Sequence, residues 1–410
     1  MQSALGAPRK RFAYFGIPHI GGTHTVYRSL RAGLQRHGIE VRWLGVGPPA
    51  TAALADPAWK EDRDHGEAVE VTDGDEAALG RAMTRHVVER GYDGVFVNVL
   101  ASPLQTNAVR YLPSDVMRIM IVHNVTPGTY AAARAVAPWV HAVAGVSERI
   151  RRDLVDRHGL PRDRTVAIPN AVELARFNLS RAPRNGGPLR LLSLGRLEDS
   201  SKGVLWLPEL MQRLAEADVT LTIAGDGPNR EELAGRLAGL HDRVRLVGRV
   251  APEDVPALVA EHDAFLMPSR YEGFGQTLVE AMAAGCVPVA SRIAGVTDRI
   301  VAHGEDGFLF AVGDMAAAAG FVRELAASPA RLAAMAGAAR RNVQGRFDLE
   351  RQAAAYAGLI GRIAADPPQI AAPLPLECWH YPRGLRPGLR TRLPEPVKNF
   401  LRVWKERLAS

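Results

Sequence analysis

Two carboxylates set eight residues apart bracket the stretch Glu272-Gly-Phe-Gly275-Gln-Thr-Leu-Val-Glu280. Their chemistry suits hydroxyl-rich ligands, because a carboxylate accepts hydrogen bonds from sugar or ribose hydroxyls. The stretch follows a predicted strand, Ala264 to Pro268, and opens a predicted helix. Gly273 and Gly275 let a backbone approach a ligand closely. The helix start that follows offers N–H groups and a partial positive charge, which suits a diphosphate. Phe274, Gly275, Gln276 and Thr277 are therefore counted with the ligand loop. Local readings compete with this one. Thr277-Leu-Val-Glu280 also spells a capping box, in which Glu280 merely satisfies backbone donors, and Glu272 also reads as a solvated loop acid.

A second stretch, Leu194-Gly195-Arg196-Leu-Glu-Asp-Ser-Ser-Lys202-Gly203, follows another predicted strand. Two cations near a strand end can neutralise a departing diphosphate without a metal. The chain has 51 Lys and Arg residues, yet only Lys10, Lys60, Lys202, Lys398 and Lys405 are lysines. Lys202 thus stands alone over a long interval, where a compact ammonium has a use that a guanidinium does not share. A solvated basic loop is the plainer reading. His123 ends the apolar run Ile119 to Val122 and faces either a ligand or the core. Gly21-Gly22 and Gly225-Asp-Gly-Pro228 read first as tight turns. Asp73-Gly-Asp75 reads as a helix cap before a metal site.

The elements that must position these residues alternate, β-rich apolar run then helix-length segment, which is the pattern of a parallel α/β sheet. The pattern occurs twice. The first series runs from Arg11 to about Pro169, with strands at Arg11–Ile17, Glu40–Leu44, Tyr92–Leu100, Val116–His123, Val140–Val146 and Val166–Pro169. The second has strands at Leu189–Leu194, Val219–Ala224, Val244–Val247, Ala264–Pro268 and Val287–Ser291. A breaker-rich stretch, 181–188, separates them. The expected organisation is a first doubly wound domain at 1–184 and a second at 185–346. A crossover segment at 347–365 and a basic tail at 366–410 follow. Such domains bind ligands at the carboxyl ends of their strands.

Composition narrows the classes. The chain has 410 residues, 47% hydrophobic and 23% charged, with net charge +7. The tail alone holds eight cations against four acids. Basicity is therefore mostly a tail property and gives no case for nucleic acid. No apolar run of about 18 residues exists for a membrane span, and the N-terminal pattern does not read as a secretory signal. Two cysteines, Cys286 and Cys378, make no CxxC pair, which fits a reducing compartment and excludes a structural zinc set.

Taken in order, the motifs resemble the retaining glycosyltransferases of family 4, which have the GT-B fold, over roughly residues 11–364. They are Gly21-Gly22, His123, Val146-Ser147-Glu148, Ile168-Pro-Asn170-Ala-Val172, Gly195-Arg196 with Lys202-Gly203, Gly225-Asp-Gly-Pro228, and Glu272 to Glu280. The resemblance implies two Rossmann-like domains facing across a cleft. It implies transfer of a sugar from a nucleotide-diphosphate donor, with retention and without a metal or other cofactor. Arg196 and Lys202 are then expected to bind the diphosphate, Glu280 the ribose, and Glu272 with Phe274 and Gly275 the sugar hydroxyls. His123 is expected to contact the donor sugar, and the Gly21-Gly22 loop to lie against the phosphates and acceptor. The sequence departs from the pattern at Ala171, Glu173, Asn124 and Gln276, which bears on donor choice more than on class.

The acceptor is left open between a glycan, a lipid-linked glycan and a small molecule. An epimerase, a sugar phosphorylase and a non-catalytic nucleotide-sugar binder stand as alternatives. Placement in the cytoplasm is expected, with contact at the inner membrane face through the helix 396–408. Its stripe Val397, Phe400, Leu401, Trp404 and Leu408 lies beside four cations. The alternative is that this stripe docks on the protein's own body.

Overall fold

The computed structural model describes residues 10–19, 21–71, 74–179, 186–240, 242–386 and 393–409. The chain divides into two compact units, Met1–Ala171 with Leu349–Thr391, and Val172–Asp348 with Arg392–Ser410. The chain thus passes between units at Ala171/Val172, whereas the expected boundary at 184/185 lies outside the described residues.

The first unit carries a seven-stranded sheet in the order β3-β2-β1-β4-β5-β6-β7. Its strands are β1 (Lys10–Phe15), β2 (Ile39–Val46), β3 (Gly66–Val69), β4 (Gly94–Asn98), β5 (Met117–Val122), β6 (Ala142–Gly145) and β7 (Thr165–Ala167). The second carries a six-stranded sheet in the order β10-β9-β8-β11-β12-β13. These are β8 (Leu189–Leu194), β9 (Val219–Ala224), β10 (Val244–Gly248), β11 (Ala264–Met267), β12 (Val287–Ser291) and β13 (Phe308–Phe310). All these pairings are parallel. Both units are α/β and Rossmann-like.

The sequence explains the strands. β5 and β12 are buried at every position. Parallel strands covered on both faces need such near-continuous apolar runs. β3 and β13, which were not expected, are edge strands of four and three residues. Runs that short carry almost no periodicity to read.

The helix Leu349–Ala365 packs on the first helix, Gly22–Leu34, within the first unit. Contact is close enough that a Cβ on Gly33 would sit 2.7 Å from that of Ala353. Tyr356 on the same helix is buried edge-on to Phe96, centroids 5.6 Å apart. The stretch expected as one basic tail is divided between the units. Up to residue 386 it lies along the first unit, where Trp379 stacks on Tyr111 at 4.5 Å. The helix Glu395–Ala409 belongs to the second. Among the described residues no helix is long and apolar enough to cross a membrane.

Candidate functional site

In the second sheet β8 pairs with both β9 and β11. The chain therefore runs one way from β8 into β9 and resumes on the other side at β11. This is the topological switch point, and loops leaving the carboxyl ends of the two strands there form the ligand crevice of open α/β sheets. The Gly195–Gly203 loop leaves β8, and the 268–275 loop leaves β11.

Polar contacts join these two loops. The Arg270 amide donates to the Ser201 carbonyl at 2.8 Å. Its guanidinium donates to the Asp199 carboxylate at 2.6 Å and carbonyl at 2.8 Å, and lies 3.8 Å over the Trp206 ring. Gly203 ends the single helical turn Asp199–Lys202 in the left-handed conformation, φ +62°. A Cβ there would fall 2.2 Å from the Pro268 carbonyl, so only glycine allows this approach.

The result is a built charge pair. Lys202 Nζ donates to Glu272 Oε1 at 2.6 Å, and the buried Ser269 hydroxyl donates to the same oxygen at 2.7 Å. Glu272 is 8% exposed, which excludes the solvated-acid reading. Its Oε2 has no hydrogen-bond partner among the described residues and is open to a hydroxyl donor. The Lys202 ammonium has three N–H groups and commits one to Glu272, leaving the others for an anion. Arg196 is exposed and, among the described residues, makes no side-chain hydrogen bond or ion pair.

Gly225 does more than turn the chain. Its amide donates to the Gly248 carbonyl at 2.6 Å. At φ +139° its missing Cβ would lie 1.8 Å from the Gly195 carbonyl oxygen. The 225–228 turn thus packs directly on the Gly195 loop.

Glu280 sits on the helix Gln276–Ala283, whose N-cap is Gly275 in the left-handed region, φ 102° and ψ 55°. No side chain caps this helix. The capping-box reading therefore fails, because Thr277 is already inside the first turn. Instead the Glu280 carboxylate accepts one long bond from Gln276 Nε2 at 3.4 Å. Burial raises its pKa to about 7, opposed by Gln276 and by the positive field of Arg176. Phe274, just before the helix, packs edge-on to Phe347 with centroids 5.5 Å apart.

In the first unit, His123 lies just past β5, half-buried, with Nε2 2.7 Å from Asn98 Oδ1. Asn98 is buried on β4 and its Nδ2 donates to the Phe15 carbonyl at 3.1 Å. That bond fixes which way the amide faces. An amide oxygen only accepts, so His123 carries its proton on Nε2 and leaves Nδ1 as an acceptor. Burial lowers the His123 pKa to about 4, so the ring is neutral near pH 7. Asn98 and Ser269 hold site residues in place; Asn98 was not singled out from sequence, and Ser269 opens the motif that runs on to Gly285 but was given no role. Ser269, three residues before Glu272, was the more findable of the two.

Gly21 caps the first helix with an extended backbone, φ 166°. A Cβ on Gly22 would meet nothing within 4 Å. The fold itself therefore does not require glycine at Gly22. Gly22→Ala is expected to keep or slightly raise thermal stability, by up to about 1 kcal/mol, while weakening donor binding. Thermal melts with and without nucleotide sugar separate the two effects. Asp75 caps the helix Glu76–Glu89 by accepting from the Ala78 amide at 2.8 Å, and Asp73 lies outside the described residues.

Comparison with known proteins gives these features a family context. The family model described as "Glycosyltransferase Family 4" matches residues 20–176, and that described as "Glycosyl transferases group 1" matches residues 188–328. The chain is similar to glycogen synthase of Mycobacterium tuberculosis, 32% identical over 59% of this chain and 62% of that protein. It is also similar to the phosphatidyl-myo-inositol mannosyltransferase of Mycobacterium leprae, 35% identical over 44% of this chain and 50% of that one. The match thus spans less than two thirds of these relatives' length. Among solved structures, Anabaena Alr3699/HepE in complex with UDP and glucose superposes with a TM-score of 0.69. It is 20% identical and covers 86% of this chain and 100% of that one. Two Rossmann-like units and two family models that fall one on each unit lead to one conclusion: the chain belongs to glycosyltransferase family 4, with the GT-B fold.

Proposed function

We propose that the protein transfers a sugar from a nucleoside diphosphate donor to a hydroxyl acceptor, with retention of anomeric configuration and without a metal ion. The observation that carries this reading is the Lys202–Glu272 contact at 2.6 Å beside the start of the helix that bears Glu280. It sets a cation for the diphosphate next to a carboxylate for the sugar, with a second carboxylate one helical turn further on for the ribose. Support for a uridine donor comes from the Anabaena structure, which holds UDP and glucose.

In this reaction the bond between the anomeric carbon and the diphosphate oxygen breaks, and its electron pair leaves with the phosphate. The acceptor oxygen bonds to the anomeric carbon from the same face and passes its proton to the departing phosphate oxygen. Lys202 and Arg196 stabilise the negative charge that grows on the leaving group. The first-turn amides after Gly275 add to this field. Glu272 Oε2 accepts a sugar hydroxyl and orients the donor, and neutral His123 Nδ1 is an acceptor suited to a hydroxyl. Gly21 and Gly22, at the start of the first helix, leave a backbone that a ligand can approach closely. Two free cysteines, Cys286 buried and Cys378 exposed, suit a cytoplasmic setting.

A panel of nucleotide sugars with saccharide, lipid-linked and small-molecule acceptors tests the reading, with product anomers assigned by NMR. Transfer with retention is the expected result. Interconversion of the donor sugar without acceptor favours an epimerase instead, and binding without turnover favours a non-catalytic binder.

Glu280 adds a pH signature. Its pKa of about 7 is raised from an ordinary 4.5. A raised carboxyl pKa means that the folded chain holds the proton longer than the unfolded chain. Glu280 therefore lowers stability as pH rises from about 4.5 through 7. Ribose hydroxyls favour the ionised form, so donor binding is expected to tighten about tenfold between pH 6 and 8. Titration calorimetry with UDP-glucose, whose phosphates do not titrate in this range, should show this trend in wild type and a flat profile in Glu280→Gln. A flat wild-type profile would remove Glu280 from the ribose site.

A further inference from the structure

The helix Glu395–Ala409 is held to the second unit by its polar side. Arg402 donates to the Ser200 carbonyl at 3.0 Å and lies 5.2 Å from the Tyr271 ring centroid. Arg407 donates to the Val312 carbonyl at 2.9 Å. Glu406 is 3% exposed, and Val403 packs on the small cluster of Ile293, Val296 and Val312. The expected alternative, that the apolar stripe docks on the body, is therefore not what the structure shows.

The stripe faces outward. Val397, Phe400, Leu401, Trp404 and Leu408 are 44, 69, 44, 57 and 69% exposed. They make up five of the nine large apolar side chains that stand exposed among the described residues, and Leu393 just before the helix is a sixth. Isolated exposed hydrophobics need no explanation, but a contiguous set on one helix face does. A surface helix ordinarily turns such a stripe inward. Here the chain spends its polar contacts on the body and leaves the apolar face for another surface.

We propose that this surface is an anionic lipid bilayer, with the helix lying flat in the headgroup region. Fifteen residues give a helix about 22 Å long, and its many charges rule out a span. Its apolar positions recur at i, i+3, i+4, i+7 and i+11, with an indole and a phenyl ring at the centre. Charge selects lipid over a protein partner as the occupant. Residues 378–394, which precede the helix in the chain, contain four arginines and no acid, whereas Arg402 and Arg407 of the helix itself are committed to carbonyls of the body. Of its two acids, Glu406 faces the protein and Glu395 is held by Lys398 at 2.9 Å. Cations near an anionic leaflet are attracted to it over about a Debye length. An apolar face that follows a polybasic run in the chain offers the two signals that stable peripheral binding needs. A protein interface would use the stripe but gives no reason for an acid-free basic approach. Docking of this kind is independent of the sugar chemistry.

Flotation of the full chain with phosphatidylcholine vesicles, with and without phosphatidylglycerol, tests the proposal. Binding is expected only to the anionic vesicles, and to fall roughly tenfold or more at high salt. The double substitution Phe400→Glu with Trp404→Glu is expected to abolish it with an unchanged thermal melt, because both side chains are exposed. Phe400→Ser, a milder change, should weaken binding if the double variant misfolds. Three outcomes overturn the proposal. They are no binding to anionic vesicles, equal binding by wild type and variants, and a concentration-dependent dimer lost in the variants without lipid binding.

Discussion

Alanine in place of Lys202 is expected to lower kcat by about 10²–10³-fold, the usual effect of removing one group aimed at developing charge. The ammonium sits 2.6 Å from Glu272 and is one-third exposed, so it is positioned by a partner yet reachable by a ligand. Before bond cleavage the diphosphate carries its charge spread over several oxygens. As the anomeric bond breaks, charge concentrates on the leaving oxygen, and a fixed cation beside it gains most at that moment. The loss therefore belongs mainly in kcat, with a smaller rise in KM. Lys202→Arg is expected to recover little, because a planar guanidinium cannot keep one N–H on Glu272 and direct the others as an ammonium does. Ser269 still holds Glu272 in either variant, so the fold should survive. Steady-state kinetics with a matching thermal melt decide the matter: unchanged turnover in a folded alanine variant rules out the leaving-group role.

The legible part of this molecule and the hidden part differ in physical kind. β5 and β12 were readable because burial on both faces writes an apolar run into the sequence. β3 and β13 were not, because short edge strands need no such run. At the site, residue types and loop placement were visible, but the pairing of Lys202 with Glu272 was not. Those residues are 70 positions apart and meet only because β8 and β11 are neighbours. The capping box at Glu280 shows the opposite failure: a local pattern was present, and the helix began elsewhere because Gly275 took the left-handed cap. Asn98 gave no signal at all, since what fixes His123 is a sheet neighbour on β4. In the last helix the apolar period was plain in sequence, but a period gives a face and not its direction. Arg402, Glu406 and Arg407 contact the body, and the apolar stripe does not.

Gly225→Ala is expected to be the most damaging small substitution in the second unit, and the reason bears on function. The added Cβ would sit 1.8 Å from the Gly195 carbonyl oxygen and 2.9 Å from its carbon, both backbone atoms with no rotamer to yield. The site's φ of +139° is also one that side chains rarely adopt. Strain of that backbone kind costs about 1–3 kcal/mol, and displacing the Gly195 strand end adds to it. The Gly195 amide donates to Ala224, the residue before Gly225, so the clash cannot be relieved without breaking the β8–β9 ladder at its carboxyl end. A total near 3 kcal/mol would lower the melting temperature of a unit this size by about 6–12 °C. The displaced segment carries Arg196 and leads to Lys202, so donor affinity should fall along with stability. Gly235→Ala, in a helix of the same unit with open space at its Cβ, is the matched control and should not destabilise. Equal melting temperatures for the two variants would show that the 225 turn gives way freely, and that the Gly195 loop does not depend on it.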